Sequence, residues 1–216
     1  MLSFPQTTVY NRTIPKRKFY EKLEINSALK QAFTNQIKKI LWRNKLATST
    51  LNLAQGQNVD EIEVFEIKLT SQNLDENVLR QMDKEIPYHI LFLLEWKEKY
   101  SAVICYKEKC DAGKNNFKLE RYYNTDWMTL EELPIAIQGL TMDAVYENFI
   151  RQIAGNQLQG GSNETLKESV DRQKEREALQ KQITRLEIRI HRKRQLNRRM
   201  EINAELKKLR KKLEVL

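Results

Sequence analysis

The chain has 216 residues, is 40% hydrophobic and carries a formal net charge of +9. That is enough for one ordinary domain with an appendage. The longest apolar run, Ile90 to Leu94, is far too short to cross a bilayer. Met1 is not followed by a basic then apolar leader, and Cys105 and Cys110 are too few for a disulfide framework, so a reduced, cytoplasmic protein is expected.

Charge is unevenly placed. From Ser162 onward the chain holds 17 Lys+Arg against 9 Asp+Glu, a net of +8, and residues 1 to 161 hold 21 against 20, a net of +1. A near-neutral body carrying a basic extension points to an acidic partner, nucleic acid or protein, more than to small-molecule chemistry. The pattern predicts a body over residues 1–155, a linker over 156–163 containing Gly160, Gly161 and Ser162, and a basic arm over 164–216.

In chain order, residues 1–16 read as irregular, with Pro5 and Pro15 as breakers. A helix is predicted from Ser27 to about Lys45, with Ser27 as N-cap and a stripe of Leu29, Phe33, Ile37, Ile40 and Leu41. A strand follows over Glu61–Leu69. Its imperfect alternation implies a bulge or cover on both faces. A second helix is expected from Asp75 to Glu85, ended by Pro87. The run His89–Trp96 suits a central strand, with Tyr100–Tyr106 as its hairpin partner. A turn cluster surrounds Gly113, and the clean alternation of Phe117–Tyr123 suggests an edge strand. A last body helix spans Met142–Ala154, capped by Thr141 and stopped by Gly155. These elements predict an α/β (α+β) body: a small mixed four-stranded sheet flanked by helices, with the first strand–helix–strand unit a parallel crossover.

Thr165 and Glu168 form a capping box that starts the arm. Leu179, Ile183, Leu186 and Ile190 make one apolar stripe; Ile202, Leu206, Leu209, Leu213 and Leu216 make another. The two are offset by two residues from a heptad repeat, which turns the second stripe roughly 200° from the first in a straight helix. The chain therefore either folds back between His191 and Arg199, with Asn197 in a left-handed turn, or offers two faces to two partners. The helical hairpin is the favoured arrangement. A coiled-coil oligomer built on the stripes is a further reading. Arg189, Arg192, Lys193, Arg194, Arg198 and Arg199 gather at the bend with no acid among them, a cluster suited to phosphates or an acidic protein groove.

Catalytic patterns are weak. Glu66-x-Lys68, with Glu63, is the fragment of a metal-dependent nuclease motif, but the pattern predicts no earlier strand to supply a first acid. Cys105 or Cys110 with His89 is the only route to a Cys–His nucleophile, and a packed histidine is the commoner outcome. No metal or cofactor fingerprint is present, since the only Gly-Gly lies in the linker. Trp42 with Arg43, and Tyr122, Tyr123 and Trp127, could stack on bases, but aromatics beside strands are usually core or core rim.

Several segments carry a family resemblance: Ile14-Pro15-Lys16 with Phe19-Tyr20, Ile40-Leu41-Trp42 with Lys45-Leu46, and Glu63 to Ile67. Asp83-Lys84-x-Ile86-Pro87-Tyr88 before Ile90-Leu91-Phe92, Asp143 to Phe149, and Gln195-x-Asn197-Arg198 complete the set. Together they resemble an uncharacterised prokaryotic family, a domain of unknown function numbered forty-three ninety-one. The resemblance implies a setting beside helicases and DNA methyltransferases in restriction-like phage-defence loci, and carries over no catalytic residue. The function expected on these grounds is a non-enzymatic accessory subunit of an antiviral or restriction-modification system. It would dock on a helicase/ATPase or methyltransferase subunit and touch DNA or that partner with the arm.

Overall fold

The computed structural model describes residues 4–21, 25–109, 117–158, 164–191 and 195–216. The Gly113 turn cluster, Cys110, the centre of the expected linker, and Arg192, Lys193 and Arg194 lie outside the described residues. The chain divides into two compact units, Met1–Gly155 and Asn156–Leu216.

The first unit is a mixed α+β domain. Its elements are β1 (Val9–Ile14), α1 (Ser27–Gln36), β2 (Ile37–Ala47), α2 (Thr48–Leu51), β3 (Glu61–Leu69), α3 (Glu76–Glu85), β4 (His89–Trp96), β5 (Lys99–Lys109), β6 (Phe117–Asn124) and α4 (Met142–Ala154). The strands form one six-stranded sheet in chain order from β1 to β6. Only β3 and β4 are parallel, joined by the α3 crossover; the other neighbours are antiparallel.

Six strands replace the predicted four, because β1 and β2 were hidden in the sequence. Residues 27–45 are not one helix. Asn26, one residue before the expected cap, accepts from Leu29 N at 2.8 Å, and α1 stops at Gln36. The strand that follows has register shifts between Ile37 and Lys39 and between Trp42 and Asn44. Each bulge inserts a residue into the period-2 pattern, so the buried Ile37 and Ile40 fall three apart and imitate a helical stripe. Lys16 donates to the carbonyls of Thr34 (3.1 Å) and Ile37 (2.6 Å), satisfying acceptors released where helix becomes strand. β1 was hidden for another reason. It is an edge strand with no buried residue, it is flanked by the two prolines, and Asn11 bulges it at φ +50°.

The central strands follow the apolar pattern. Ile62 to Ile67 on β3 and His89 to Leu94 on β4 are buried on both faces, with no bulge between the two strands. On one face Phe33, Phe65, Phe92, Val78 and Met82 form a core with α1 and α3. On the other, alternate residues Val64, Leu91, Leu93, Ala102 and Ile104 are buried with the α4 stripe of Met142, Val145, Tyr146, Phe149, Ile150 and Ile153. Fully burying one such large side chain contributes about 1.5–3 kcal/mol. Thr141 Oγ1 accepts from Ala144 N (3.2 Å) to start α4, and Gly155 at φ +48° ends it. α4 also pins the β2–β3 connection. The Asp143 carboxylate accepts from the backbone N–H of Gln57 (2.5 Å), Asn58 (3.0 Å) and Val59 (2.9 Å). Gly56 lies so close that a Cβ would sit 2.6 Å from Val59 O and 2.8 Å from Asp143 Oδ1. β6 is an edge strand, as its alternation implied.

The second unit holds α5 (Leu166–His191) and α6 (Leu196–Val215). Thr165 and Glu168 make the reciprocal cap: Thr165 N donates to Glu168 Oε2 (2.9 Å) and Glu168 N to Thr165 Oγ1 (3.2 Å). Ile183, Ile202 and Leu206 are buried together, with Leu186, Ile190, Leu209 and Leu213 packed around them. The two out-of-phase stripes thus face each other. Lys212, near the end of α6, reaches Glu175, in the first half of α5, at 2.7 Å, so the helices run antiparallel. Asn197 does not make the turn. It lies in the first turn of α6, whose N-cap is Gln195.

Candidate functional site

The cationic end of the helical pair is built from both of its helices. Arg189 lies in the last turn of α5, and Arg198 and Arg199 in the first turn of α6; all three are exposed. Among the described residues none of the three makes an ion pair. Some other cations of the unit are paired internally: Arg210 meets Glu187 at 2.6 Å, Lys212 meets Glu175, and Arg172 meets Glu164 at 2.8 Å. The start of α6 is electrostatically exceptional. Gln195 makes no side-chain capping bond and no acid occupies the first turn. The N–H groups and the positive end of the dipole therefore meet two arginines, an arrangement costing about 0.3–1 kcal/mol per cation that a bound anion relieves.

The possible nuclease set is split by the sheet. Glu66 and Lys68 share a face, with Lys68 Nζ 3.9 Å from Glu66 Oε1 and 3.6 Å from Glu95 Oε2. Glu63, three residues from Glu66 on a strand of period 2, points to the opposite face beside Glu61 and Lys45. The three side chains do not converge. Arg43 contacts Glu66 at 2.6 Å across the β2–β3 pair, a contact that a helix over residues 27–45 would not make. Arg43, Glu66, Asn44 and Tyr100 line a groove of about 510 Å³. Among the described residues no group of three or more His, Cys, Asp or Glu is placed to hold a metal ion.

His89 and Cys105 are not assembled into a Cys–His pair, and Cys110 lies outside the described residues. The ring of His89 packs at 4.2 Å from that of Tyr146 and 4.8 Å from that of Phe117, and burial pushes its pKa down to about 3. Cys105 lies on the other face, where burial first and the Asp83 carboxylate second push its thiol up to about 12. A thiol of that kind is a poor nucleophile near neutral pH.

The expected stacking aromatics are core or core rim. Trp42 is wedged between Tyr10 (centroids 4.2 Å apart) and Phe65 (6.0 Å). Tyr123 is fully buried, Trp127 packs against the α3-side core, and Tyr122 donates to Asp83 Oδ2. That last bond belongs to a buried network that the sequence did not reveal. Lys107 Nζ lies 2.8 Å from Asp83 Oδ1 and donates to Tyr88 O at 2.7 Å. Burial pushes the Asp83 carboxyl up, opposed by Lys107 and Tyr122, and burial beside that carboxylate pushes the Tyr122 phenol up. The Lys107 and Asp83 side chains are only 1% and 0% exposed, and the network holds α3 against β5 and β6.

Among the described residues no helix is long and apolar enough to cross a membrane. Neither a curated protein nor a solved structure matches the chain. Residues 2–213, nearly its whole length, match one family, and the chain belongs to it: Domain of unknown function (DUF4391).

Proposed function

We propose that the protein is a non-catalytic accessory subunit of a bacterial phage-defence or restriction-type system. In this reading the cytoplasmic α+β body docks on a helicase or DNA methyltransferase subunit, and the cationic end of the arm touches the phosphate backbone of DNA. The observation that carries the reading is the uncapped, acid-free start of α6 with Arg198 and Arg199 in its first turn and Arg189 across from them, exposed and without ion pairs among the described residues. The genomic setting implied by the family resemblance supports the choice of partner. The separation of Glu63 from Glu66 and Lys68, and the protonated, buried Cys105, support a non-enzymatic role.

The test replaces Arg189, Arg192, Lys193, Arg194, Arg198 and Arg199 together by Gln in the full chain. Binding to a labelled DNA duplex is then measured from low to physiological salt. The expected outcome is a loss of affinity and a shallower salt dependence, by about 0.9 in log–log slope per phosphate contact removed. Unchanged binding at every salt concentration would exclude the arm as the DNA contact.

A further inference from the structure

The near-zero charge of the body is a cancellation between two unlike halves. Residues 1–59 hold 10 Lys+Arg against 2 Asp+Glu, a net of +8, while residues 60–161 hold 11 against 18, a net of −7. The sheet runs in chain order, so this sequence asymmetry becomes a spatial one: β1, α1 and β2 make one edge of the sheet, and the acidic remainder makes the rest.

On that edge the cations are of two kinds. Arg43 and Lys45, deeper along β2, are consumed by Glu66 and Glu61 at 2.6 and 2.9 Å. Arg12, Arg17, Lys18, Lys30, Lys38 and Lys39 are exposed, and among the described residues none makes an ion pair. The fold gathers them. Arg12 pairs in register with Trp42 and Ile14 with Ile40, so Lys38 and Lys39 emerge just beyond the end of β1. The Lys16–Phe19 turn, which carries Arg17 and Lys18, follows at that end, and Lys16 fastens it to the α1–β2 junction through Thr34 O and Ile37 O. Lys30 comes in from α1 over the Tyr20 ring at 5.8 Å. Beside them, the Arg12 guanidinium lies 4.5 Å above the Tyr10 ring, which packs at a 42° tilt against Trp42.

We propose that this edge is a second nucleic-acid-binding surface, separate from the arm, that takes the phosphodiester backbone. Edge strands also carry lysine to prevent strand-on-strand association, which would account for Arg12 and Lys39. It does not account for Arg17, Lys18 and Lys30, which lie off the strands on a turn and a helix. The spread of the charges fits a polymer more than a small anion. Arg12, in register with Trp42, and Lys39, in register with Lys68, leave opposite faces of the sheet, so the cations wrap its edge; the three register positions between them span roughly 10 Å, or about three phosphate steps along one nucleic-acid strand.

The experiment uses the full chain and labelled single-stranded oligonucleotides of thymidine and of uridine, titrated at several salt concentrations. R12Q/K38Q/K39Q is compared with K84Q/K97Q/K99Q, which removes the same charge from exposed positions elsewhere on the body. The edge variant is expected to lose about tenfold or more in affinity at about 50 mM salt, and about 2 in log–log slope, at roughly 0.7 per contact. The control is expected to stay within about twofold. Equal losses in both variants would mean that only net charge matters, and would overturn the proposal. So would unaltered oligonucleotide binding in an edge variant that had lost binding to polyglutamate, an outcome assigning the edge to an acidic protein. Urea midpoints of the variants check folding, and a more conservative R12K/K38R/K39R variant restores binding if charge at this place is the cause. The arm variant is titrated in parallel, so failure of the arm and failure of the edge are read separately.

Discussion

Glu63 gives the sharpest quantitative prediction. Its side chain lies in the sheet interior, 2% exposed, and Oε2 meets no hydrogen-bond partner among the described residues. Burial first and the neighbouring Glu61 carboxylate second raise its pKa from 4.5 to about 7, against the opposing pull of Lys45 and Trp42. In the unfolded chain the carboxyl ionises near 4.5; in the folded protein it holds its proton to about 7. Between those values the unfolded state binds fewer protons, so stability falls as pH rises through the window and levels off above about 7. At about 1.4 kcal/mol per pH unit, the interval amounts to about 3 kcal/mol. Glu63→Gln fixes the neutral form in the same shape. It should lie within about 1 kcal/mol of the parent near pH 5 and exceed it by up to about 3 kcal/mol at pH 8, or roughly 6–12 °C in Tm for a chain of this size. Urea unfolding of both proteins between pH 5 and 8 measures this directly. A variant weaker than the parent at pH 8, or a difference that does not grow with pH, would refute the reasoning.

Two further substitutions test the internal polar architecture. Lys107→Met removes the cation from a pair whose side chains are 1% and 0% exposed, leaving Asp83 charged and buried; the expected cost is about 3–5 kcal/mol. Asp83→Asn added to it should recover part of that loss, and equal urea midpoints for the single and double variants would show that the stranded charge was not the cause. Asp143→Ala deprives three backbone N–H groups of their acceptor and should cost about 1–3 kcal/mol. Hydrogen exchange at Gln57, Asn58 and Val59 should accelerate, and unchanged protection at those amides would show that the connection is held by something else.

What the sequence disclosed follows from how directly each feature is encoded. Buried strands such as His89–Leu94 are continuous apolar runs, and the caps at Thr141 and Thr165 are local chemistry; both were legible. β2 was not, because its bulges at Lys38 and Arg43 turned a period of two into a spacing of three. β1 was not, because an exposed edge strand has no hydrophobic face to alternate. The phase shift in the arm was visible as arithmetic and corresponds to two helices packed on each other, though Asn197 was misplaced as the turn. Pairs distant in sequence left no local trace. Asp83 and Lys107 are 24 positions apart and look like ordinary surface charges until α3 is laid across β5. The cationic edge was masked by averaging, since a net of +1 over residues 1–161 conceals +8 and −7.

The charges of this protein fall into two energetic classes, and the division bears on what each can recruit. Asp83 with Lys107 and Arg43 with Glu66 are desolvated or nearly so, and held at 2.8 and 2.6 Å. A ligand that drew on one partner would strand the other, at about 3–5 kcal/mol for the fully buried pair, so such groups fix the fold and are closed to exchange. Arg189, Arg198 and Arg199 on the arm, and Arg12, Lys38 and Lys39 on the sheet edge, are already solvated and lack ion pairs among the described residues. They lose little on meeting a polyanion, and their gain is chiefly the release of its counterions. Binding through either group of cations should therefore be steep in salt and indifferent to sequence.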